Sequence, residues 1–479
     1  MSFVIFVNGL TLLFFAALMV VDAAFFHATA GVFMLAAMLV GLAGTALCLV
    51  SSADLKGMQR LHTFLMTSSV WMSAALAGAV PLALWQLSPT DAFFEAMSGI
   101  TTTGSTVMSG LDQTPRGIIM WRAMLQAVGG VGFIVTAIAL LPILKVGGMQ
   151  LFRTESSDKG DKELRSAALF ATATLQIYAG LIVLCAIVYL AGGMNLFDAI
   201  THAMTTLSTG GYSGYDASFG HFQSPFLQWS ATLFMLLGGL PFAWYIRGVY
   251  RGSFASEQVR MMLWSLAGVI SVLTLWMVFT RDVGLFDALR MVSFNVISVV
   301  TTTGYATEDY TLWGTLAVVA FFFLMAVGGC TGSTAGGAKA MRWLIFFRLA
   351  RAQISRVYSP NRVVSVKYEG RRVDEDVASG VVSFFIFYAA TFAALSIALT
   401  LMGVDMTTAT SAALTSLANV GPGIGDIIGP AGNFATLSDP AKLLLILGMF
   451  LGRLEMLTVF VLFTPRFWRE VSELGPARG

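Results

Sequence analysis

The chain has 479 residues, of which 57% are hydrophobic and only 11% charged, with a formal net charge of +2 and a mean hydropathy of +0.78. A soluble globular protein carries about 25% charged residues, so these values exclude that class and describe an integral membrane protein. The three cysteines, Cys48, Cys185 and Cys330, and the four histidines, His27, His62, His202 and His221, are scattered through the chain without metal-ligand spacing or an HExxH pair.

The first apolar run, FVIFVNGLTLLFFAALMVV at 3–21, lacks the basic n-region and small-residue cleavage site of a signal peptide and reads as a retained span. Further spans of the required ~20 apolar residues are expected near 30–50, 63–86, 117–144, 167–192, 226–246, 261–280, 313–340, 378–402 and 441–464. Basic residues cluster between alternate spans: Lys56 and Arg60; Lys145, Arg153, Lys159, Lys162 and Arg165; Arg247, Arg251 and Arg260; the run from Lys339 to Arg372; and Arg466, Arg469 and Arg478. The positive-inside rule makes that side cytoplasmic and places both termini there. Asp22, Asp91, Glu95, Asp112, Asp198, Asp216, Asp282, Asp287, Glu308, Asp309, Asp405, Asp426 and Asp439 fall in or beside the opposite segments. They read either as an acidic vestibule that concentrates cations or as plain solvation of outer loops.

After the first two spans, the rest pair around outer segments that share a pattern. These segments are DAFFEAMSGITTTGST at 91–106, NLFDAITHAMTTLSTGGYS at 195–213, LFDALRMVSFNVISVVTTTGYA at 285–306 and DMTTATSAALTSLANVGPGIG at 405–425. The apolar piece before each motif is too short to span and suits a half-helix that re-enters the membrane. Non-helical backbone at membrane depth is tolerated only where protein buries it or it lines a watery cavity. A half-helix ending in Thr-Thr-Gly directs its partly negative carboxyl end toward the meeting point of the four copies. Beyond it, glycine permits close approach and unusual backbone angles. Four such segments around one axis would make a ring of carbonyls able to replace the water shell of a monovalent cation. One copy alone would read better as an ordinary turn between helices; four, each between two spans on one side of the membrane, argue against that.

TTTGST, STGGYS, TTTGYA and ANVGPG, together with WRAMLQAVGGVGFIV at 121–135, VGGCTGSTAGGAKAMR at 327–342 and GMFLGRLEMLTV at 448–459, resemble the Trk/Ktr/HKT superfamily of potassium transporters. The resemblance covers nearly the whole chain. The extra pair of spans before the first repeat is similar to the bacterial TrkH-type branch, whereas KtrB starts at the first repeat. The resemblance implies an all-α polytopic membrane protein of the bacterial cytoplasmic (inner) membrane, with four pseudo-symmetric helix–pore-loop–helix repeats around one ion pore. The units would be 1–55, the N-terminal pair; 56–155, 156–255 and 256–372, the first three repeats; and 373–479, the fourth. It implies K+ as the transported ion, with no organic cofactor. The filter triplets would be Thr102-Thr103-Gly104, Ser208-Thr209-Gly210, Thr302-Thr303-Gly304 and Asn419-Val420-Gly421, with K+ at Thr103, Thr209, Thr303 and Val420. Serine at the first filter glycine goes with sodium preference in some plant members. Gly104 is glycine, which favours potassium, while Val420 removes one hydroxyl from the four-fold set. A homodimer and a cytoplasmic ring of nucleotide-binding, TrkA-like regulatory subunits are further implied, while the basic run 342–376 reads equally as a solvated or lipid-facing surface.

Two features lie beneath this filter. The stretch from Trp313 to Arg348 would be about 54 Å long as one helix, against a bilayer core of roughly 30 Å. Gly328, Gly329, Gly332, Gly336 and Gly337 interrupt it, each costing about 1 kcal/mol relative to alanine in a helix. The reading is an intramembrane loop over 328–337, ending near Lys339, that obstructs or clears the pore; the alternative is a close helix-packing stretch. Arg453, at the centre of KLLLILGMFLGRLEMLTVFVLF, is costly at mid-bilayer and should face a cavity or a partner. The resemblance implies that it faces the pore under the filter as an electrostatic barrier or gate-loop anchor; the alternative is a buried structural ion pair with another repeat. Glu455 cannot share its helix face, and Arg122 reads as structural or interfacial rather than conductive. A membrane-embedded enzyme would need a catalytic pair or metal ligands within the spans. The nearer rival is a sodium or weakly selective monovalent cation channel of the same fold.

Overall fold

The computed structural model describes residues 2–51, 60–140, 161–359, 361 and 364–473. Lys56, Lys145, Arg153, Lys159, Arg362 and Arg478, used above for orientation, lie outside the described residues. Among the described residues the fold is all-α apart from a small hairpin of two-residue strands, β1 (Lys367–Tyr368) and β2 (Arg371–Arg372), paired antiparallel. An N-terminal pair, α1 (Ser2–Phe25) and α2 (Ala30–Val50), crosses at Gly9 and Gly44. A Cβ added at either would lie 2.9 Å from the other's carbonyl oxygen, the close approach that small residues allow between membrane helices. This pair docks on the next unit through Phe15 and Phe33, whose rings lie 6.3 and 5.5 Å from that of buried Trp121.

Four helix–half-helix–helix units follow. The first holds α3 (Arg60–Trp85), α4 (Pro89–Ile100) and α5 (Arg116–Leu140). The second holds α6 (Asp161–Ala191), α7 (Leu196–Leu207), α8 (Pro225–Gly238) and α9 (Phe242–Arg251). The third holds α10 (Glu257–Arg281), α11 (Leu285–Val300), α12 (Thr315–Met325) and α13 (Ala340–Tyr358). The fourth holds α14 (Glu375–Leu401), α15 (Met406–Ala418), α16 (Asp439–Arg453) and α17 (Met456–Phe460), and α18 (Pro465–Glu473) ends the described chain. Among the described residues six helices are long and apolar enough to cross a membrane, or eight if each bent pair is one span.

The half-helices α4, α7, α11 and α15 have 12, 12, 16 and 13 residues. At 1.5 Å per residue they run roughly 18–24 Å, too short to span. Three start on a side-chain cap that satisfies an otherwise orphaned N–H. Ser88 Oγ accepts from Asp91 N, Asn195 Oδ1 from Asp198 N and Asp405 Oδ2 from Thr408 N. The third begins at Gly284 without one.

Two expected straight spans are bent. The run 226–246 turns by 90° between α8 and α9, and 441–464 turns by 112° between α16 and α17. At the first bend Gly239-Leu240-Pro241 interrupts the helical ladder, because proline brings no N–H. The freed carbonyls are taken up by the third unit: Gly239 O accepts from Cys330 N at 2.9 Å, and Gly238 O from Thr334 Oγ1 at 3.0 Å. At the second bend Glu455 is left-handed, with φ +60°.

Candidate functional site

The four half-helices converge on the centre of the molecule and end in the same turn. The N–H groups of Thr103, Gly210, Thr303 and Val420 bond back five residues, to Ser98, Thr205, Ser298 and Thr415, at 2.8–3.0 Å. Those of Thr102, Thr209, Thr302 and Asn419 bond back three residues, at 3.0–3.3 Å. This is the Schellman pattern of a helix C-terminus, whose left-handed residue is usually glycine. Here that residue has φ of 54°, 52°, 57° and 55° and is Thr102, Thr209, Thr302 and Asn419. A β-branched residue at positive φ is an outlier and costs on the order of 1–3 kcal/mol. Three in equivalent places mean that the surroundings enforce the geometry.

The turn corrects one register. In the second unit the left-handed residue is Thr209 and the glycine two positions on is Gly211 (φ +74°), matching Gly104 (+86°), Gly304 (+82°) and Gly421 (+115°). Gly210 therefore stands opposite Thr103, Thr303 and Val420, and the triplet Ser208-Thr209-Gly210 is shifted by one residue. The sequence offers two adjacent glycines, and only backbone angles choose between them.

These glycines interlock in a closed ring. A Cβ on Gly104 would strike the carbonyl oxygen of Gly210, one on Gly211 that of Thr303, and one on Gly304 that of Val420; one on Gly421 would lie 2.9 Å from that of Thr103. Each unit's glycine thus seats the next unit's carbonyl, and the fourth returns to the first. Lateral ties hold the ring. Tyr212 Oη donates to Glu95 O at 2.8 Å, Tyr305 Oη meets Thr205 Oγ1, Ser105 Oγ donates to Gly421 O at 2.8 Å, and Asn419 Nδ2 donates to Thr103 Oγ1 at 2.9 Å.

Buried carbonyls are normally hydrogen-bonded. Those of Thr102, Thr103, Thr209, Thr302, Thr303, Asn419 and Val420, all on buried residues, receive no hydrogen bond from any described residue. The carbonyl of Gly210 differs: Gln126 Nε2 of α5 donates to it at 2.7 Å, while Gln126 Oε1 accepts from Tyr212 N at 3.0 Å. Nothing in the local sequence around Gln126 marked it out. The two regular units also pair their hydroxyls, Thr101 with Thr103 at 2.7 Å and Thr301 with Thr303 at 2.9 Å.

Outside the ring a cavity of about 240 Å³ is lined by Gly104, Gly211, Gly304, Gly421, Arg122 and Asp216, among others. Its acidity is less than the carboxylate count suggested. Glu95 is fully buried and paired with Arg122 at 2.8 Å; Asp22 and Asp198 are buried; Asp91 pairs with Lys442 at 2.6 Å. Asp216 reaches the cavity, but its carboxylate accepts from Gly110 N and Leu111 N. Arg122 is the structural clamp expected of it, since Nη1 also donates to Ser213 O at 2.9 Å.

Inside the ring lies the glycine-rich loop between α12 and α13. Gly328, Gly332 and Gly337 are left-handed, whereas Gly329 and Gly336 are not. The loop abuts the left-handed residues of three units. Gly336 N donates to Thr302 Oγ1 at 2.8 Å, Thr209 Oγ1 donates to Thr334 Oγ1 at 3.1 Å, and Gly336 packs on Ala418 O and Asn419. Arg453, the last residue of α16, donates to Thr334 O at 2.8 Å and to Gly129 O at 3.0 Å. An ion pair of the kind weighed for Arg453 is formed by its neighbours in the same recess. Arg342 Nη2 lies 2.6 Å from Glu455 Oε1. Lys339 is left-handed (φ +67°) and lines the same small recess as Arg342, Arg453 and Glu455.

The comparisons agree with this geometry. Residues 30–470 match the family model TrkH, described as a cation transport protein. The chain is 49% identical over 414 residues to the Trk system potassium uptake protein TrkI of Halomonas elongata, covering 85% of this chain and 84% of the relative. It is 38% identical to the Trk system potassium uptake protein TrkH of Escherichia coli, with 85% and 86% covered. The crystal structure of the potassium transporter TrkH from Vibrio parahaemolyticus superposes with a TM-score of 0.89 at 30% identity, covering 98% of this chain and 99% of that one. The chain belongs to the TrkH family of cation transport proteins, which are membrane transporters and not enzymes.

Proposed function

We propose that the chain takes up K+ across the bacterial cytoplasmic membrane through the central ring, with the carbonyls of Thr103, Gly210, Thr303 and Val420 replacing part of the ion's water shell. The observation that carries this reading is the closed circuit of glycine-to-carbonyl contacts around buried, largely unpaired carbonyl oxygens. Thr102, Thr209, Thr302 and Asn419 set the backbone angle, and Gly104, Gly211, Gly304 and Gly421 let neighbouring segments meet. The loop 328–337 is the gate: it closes the inner end of the ring, and Arg453 anchors it through the Thr334 carbonyl. Opening requires withdrawing Gly336 from Thr302 and Thr334 from Thr209. The repeat units 56–155, 156–255, 256–372 and 373–479 and the N-terminal pair 1–55 serve as the working division of this pore.

The basic face is cytoplasmic in this reading, with both termini there, and receives a nucleotide-binding regulatory ring; the pore chain forms a homodimer. A second reading, conduction with weak preference among monovalent cations, is favoured by one observation. Val420 lacks a hydroxyl and the Gly210 carbonyl is shared with Gln126, so the four quarters of the ring are not equivalent. Flux of K+, Rb+ and Na+ into liposomes separates the two readings: the first expects K+ and Rb+ well above Na+, and equal rates select the second.

A further inference from the structure

On the basic side, the bend after α8 lays α9 at 90° to its span, beside the first turns of α10. Between them lies a groove of about 730 Å³. Its floor is built rather than incidental. Trp244 Nε1 donates to Phe254 O at 2.8 Å, the two rings lie 4.9 Å apart, and Phe254 packs on Gly248. Its wall is one face of α10: Arg260, Leu263, Trp264 and Ala267 follow at helical spacing, all exposed, with Trp264 75% so. From Arg260 to Ala267 is about 10 Å along the helix. A cation therefore stands at the rim, and the lining turns apolar along the helix through Leu263, Trp264 and Ala267.

Two carboxylates also line the groove, and both are engaged. Glu257 Oε2 pairs with Arg348 at 2.6 Å, and Glu369 Oε1 accepts from Ser256 Oγ and from Glu257 N. Arg260 has no carboxylate partner among the described residues, and exposed Lys367 and Arg372 of the hairpin add positive charge nearby. We propose that this groove binds one anionic phospholipid of the basic-side leaflet, its phosphate on Arg260 and an acyl chain along Leu263, Trp264 and Ala267. The order of chemistry along the groove is that of an amphiphile, tryptophan is enriched at the membrane interface, and basic pockets between spans on the cytoplasmic side hold acidic headgroups.

The test is quenching of tryptophan fluorescence by brominated lipid in phosphatidylcholine vesicles holding the full chain. Brominated phosphatidylglycerol is expected to quench at lower mole fraction than brominated phosphatidylcholine, by about fivefold for one arginine near the surface. Trp264→Phe should reduce the excess quenching to the share carried by Trp244 in the groove's floor, and Arg260→Gln should make the two lipids equivalent while leaving quenching by phosphatidylcholine unchanged. Both residues are exposed, so both variants should fold, which an unchanged thermal midpoint in phosphatidylcholine would verify. Equal quenching by the two lipids in the unaltered chain overturns the proposal, as does a preference that survives Arg260→Gln. Suppression of the excess by soluble glycerol phosphate would also overturn it, by showing a site for a free phosphate ester.

Discussion

The first and third quarters of the ring are built alike, and the second and fourth are not. Thr101–Thr103 and Thr301–Thr303 carry the same residues, the same hydroxyl pairs and nearly the same backbone angles. The second quarter substitutes Gly210 for a threonine and braces its carbonyl with Gln126; the fourth carries Asn419 and Val420. All four nevertheless make the same left-handed turn and seat the same neighbouring carbonyl. The difference teaches that the backbone is held in common while side chains diverge, so the demand shared by the four quarters is on φ and on the space at one glycine each.

The largest expected effect breaks that common element. Gly304→Ala and Gly211→Ala put a methyl into the carbonyl of the next quarter, in addition to the strain of positive φ, on the order of 1–3 kcal/mol. Each should abolish K+ flux in liposomes. Gly110→Ala separates the two causes, since Gly110 is also left-handed but has open space around it; flux should stay within about twofold, with strain alone lowering stability.

Next comes the loop packed against the inner side of the ring, the proposed gate. Arg453→Gln removes charged hydrogen bonds to Thr334 O and Gly129 O, and such bonds are worth roughly 1.5–3 kcal/mol each. If Arg453 anchors the closed loop, the variant should raise unregulated K+ flux by about tenfold or more. Reduced flux would make it part of the conducting path instead.

A smaller effect is expected where the quarters differ. Gln126→Leu removes one brace, about 1 kcal/mol, loosening only the second quarter. The K+ over Na+ flux ratio should fall by about fivefold, whereas Val420→Thr, which restores a hydroxyl but no carbonyl, should change it by less than about twofold.

Much of this organisation was legible in the chain. Four small-residue motifs, each behind a half-helix too short to span, located the ring, and five glycines between Gly328 and Gly337 located the loop. What escaped was geometry that composition does not encode. The motif containing Gly210 and Gly211 admits two registers; Tyr212 and Tyr305, each tied to the preceding unit's half-helix, offered the signal for the right one. Glu95 read as an outer carboxylate because the sequence does not show Arg122 folding back onto it from the next helix. Gln126 sits among ordinary helix residues and matters only because its side chain reaches a carbonyl 84 positions away. The bend at Gly239–Pro241 was written in glycine and proline, but a window of apolar residues averages over it.

The smallest effect belongs to the start of the fourth half-helix. Asp405 caps it, and hydrogen bonds from Thr408 hold its carboxyl below the ordinary carboxylate range. A depressed carboxyl contributes stability above its unfolded pKa and loses it as pH falls through the folded one, so Asp405→Ala should cost about 1 kcal/mol near neutrality. The cost should shrink in acid below the ordinary carboxylate range. Thermal unfolding of the two proteins across that range measures it.

The most direct test of the central claim is initial flux of K+, Rb+ and Na+ into liposomes holding the unaltered chain, Gly304→Ala or Gly110→Ala, with the proposed regulatory ring added if the pore is silent alone. The account predicts K+ and Rb+ well above Na+, lost with Gly304→Ala and kept with Gly110→Ala. Selective flux that survives Gly304→Ala would contradict it, because the ion would then be crossing without the ring.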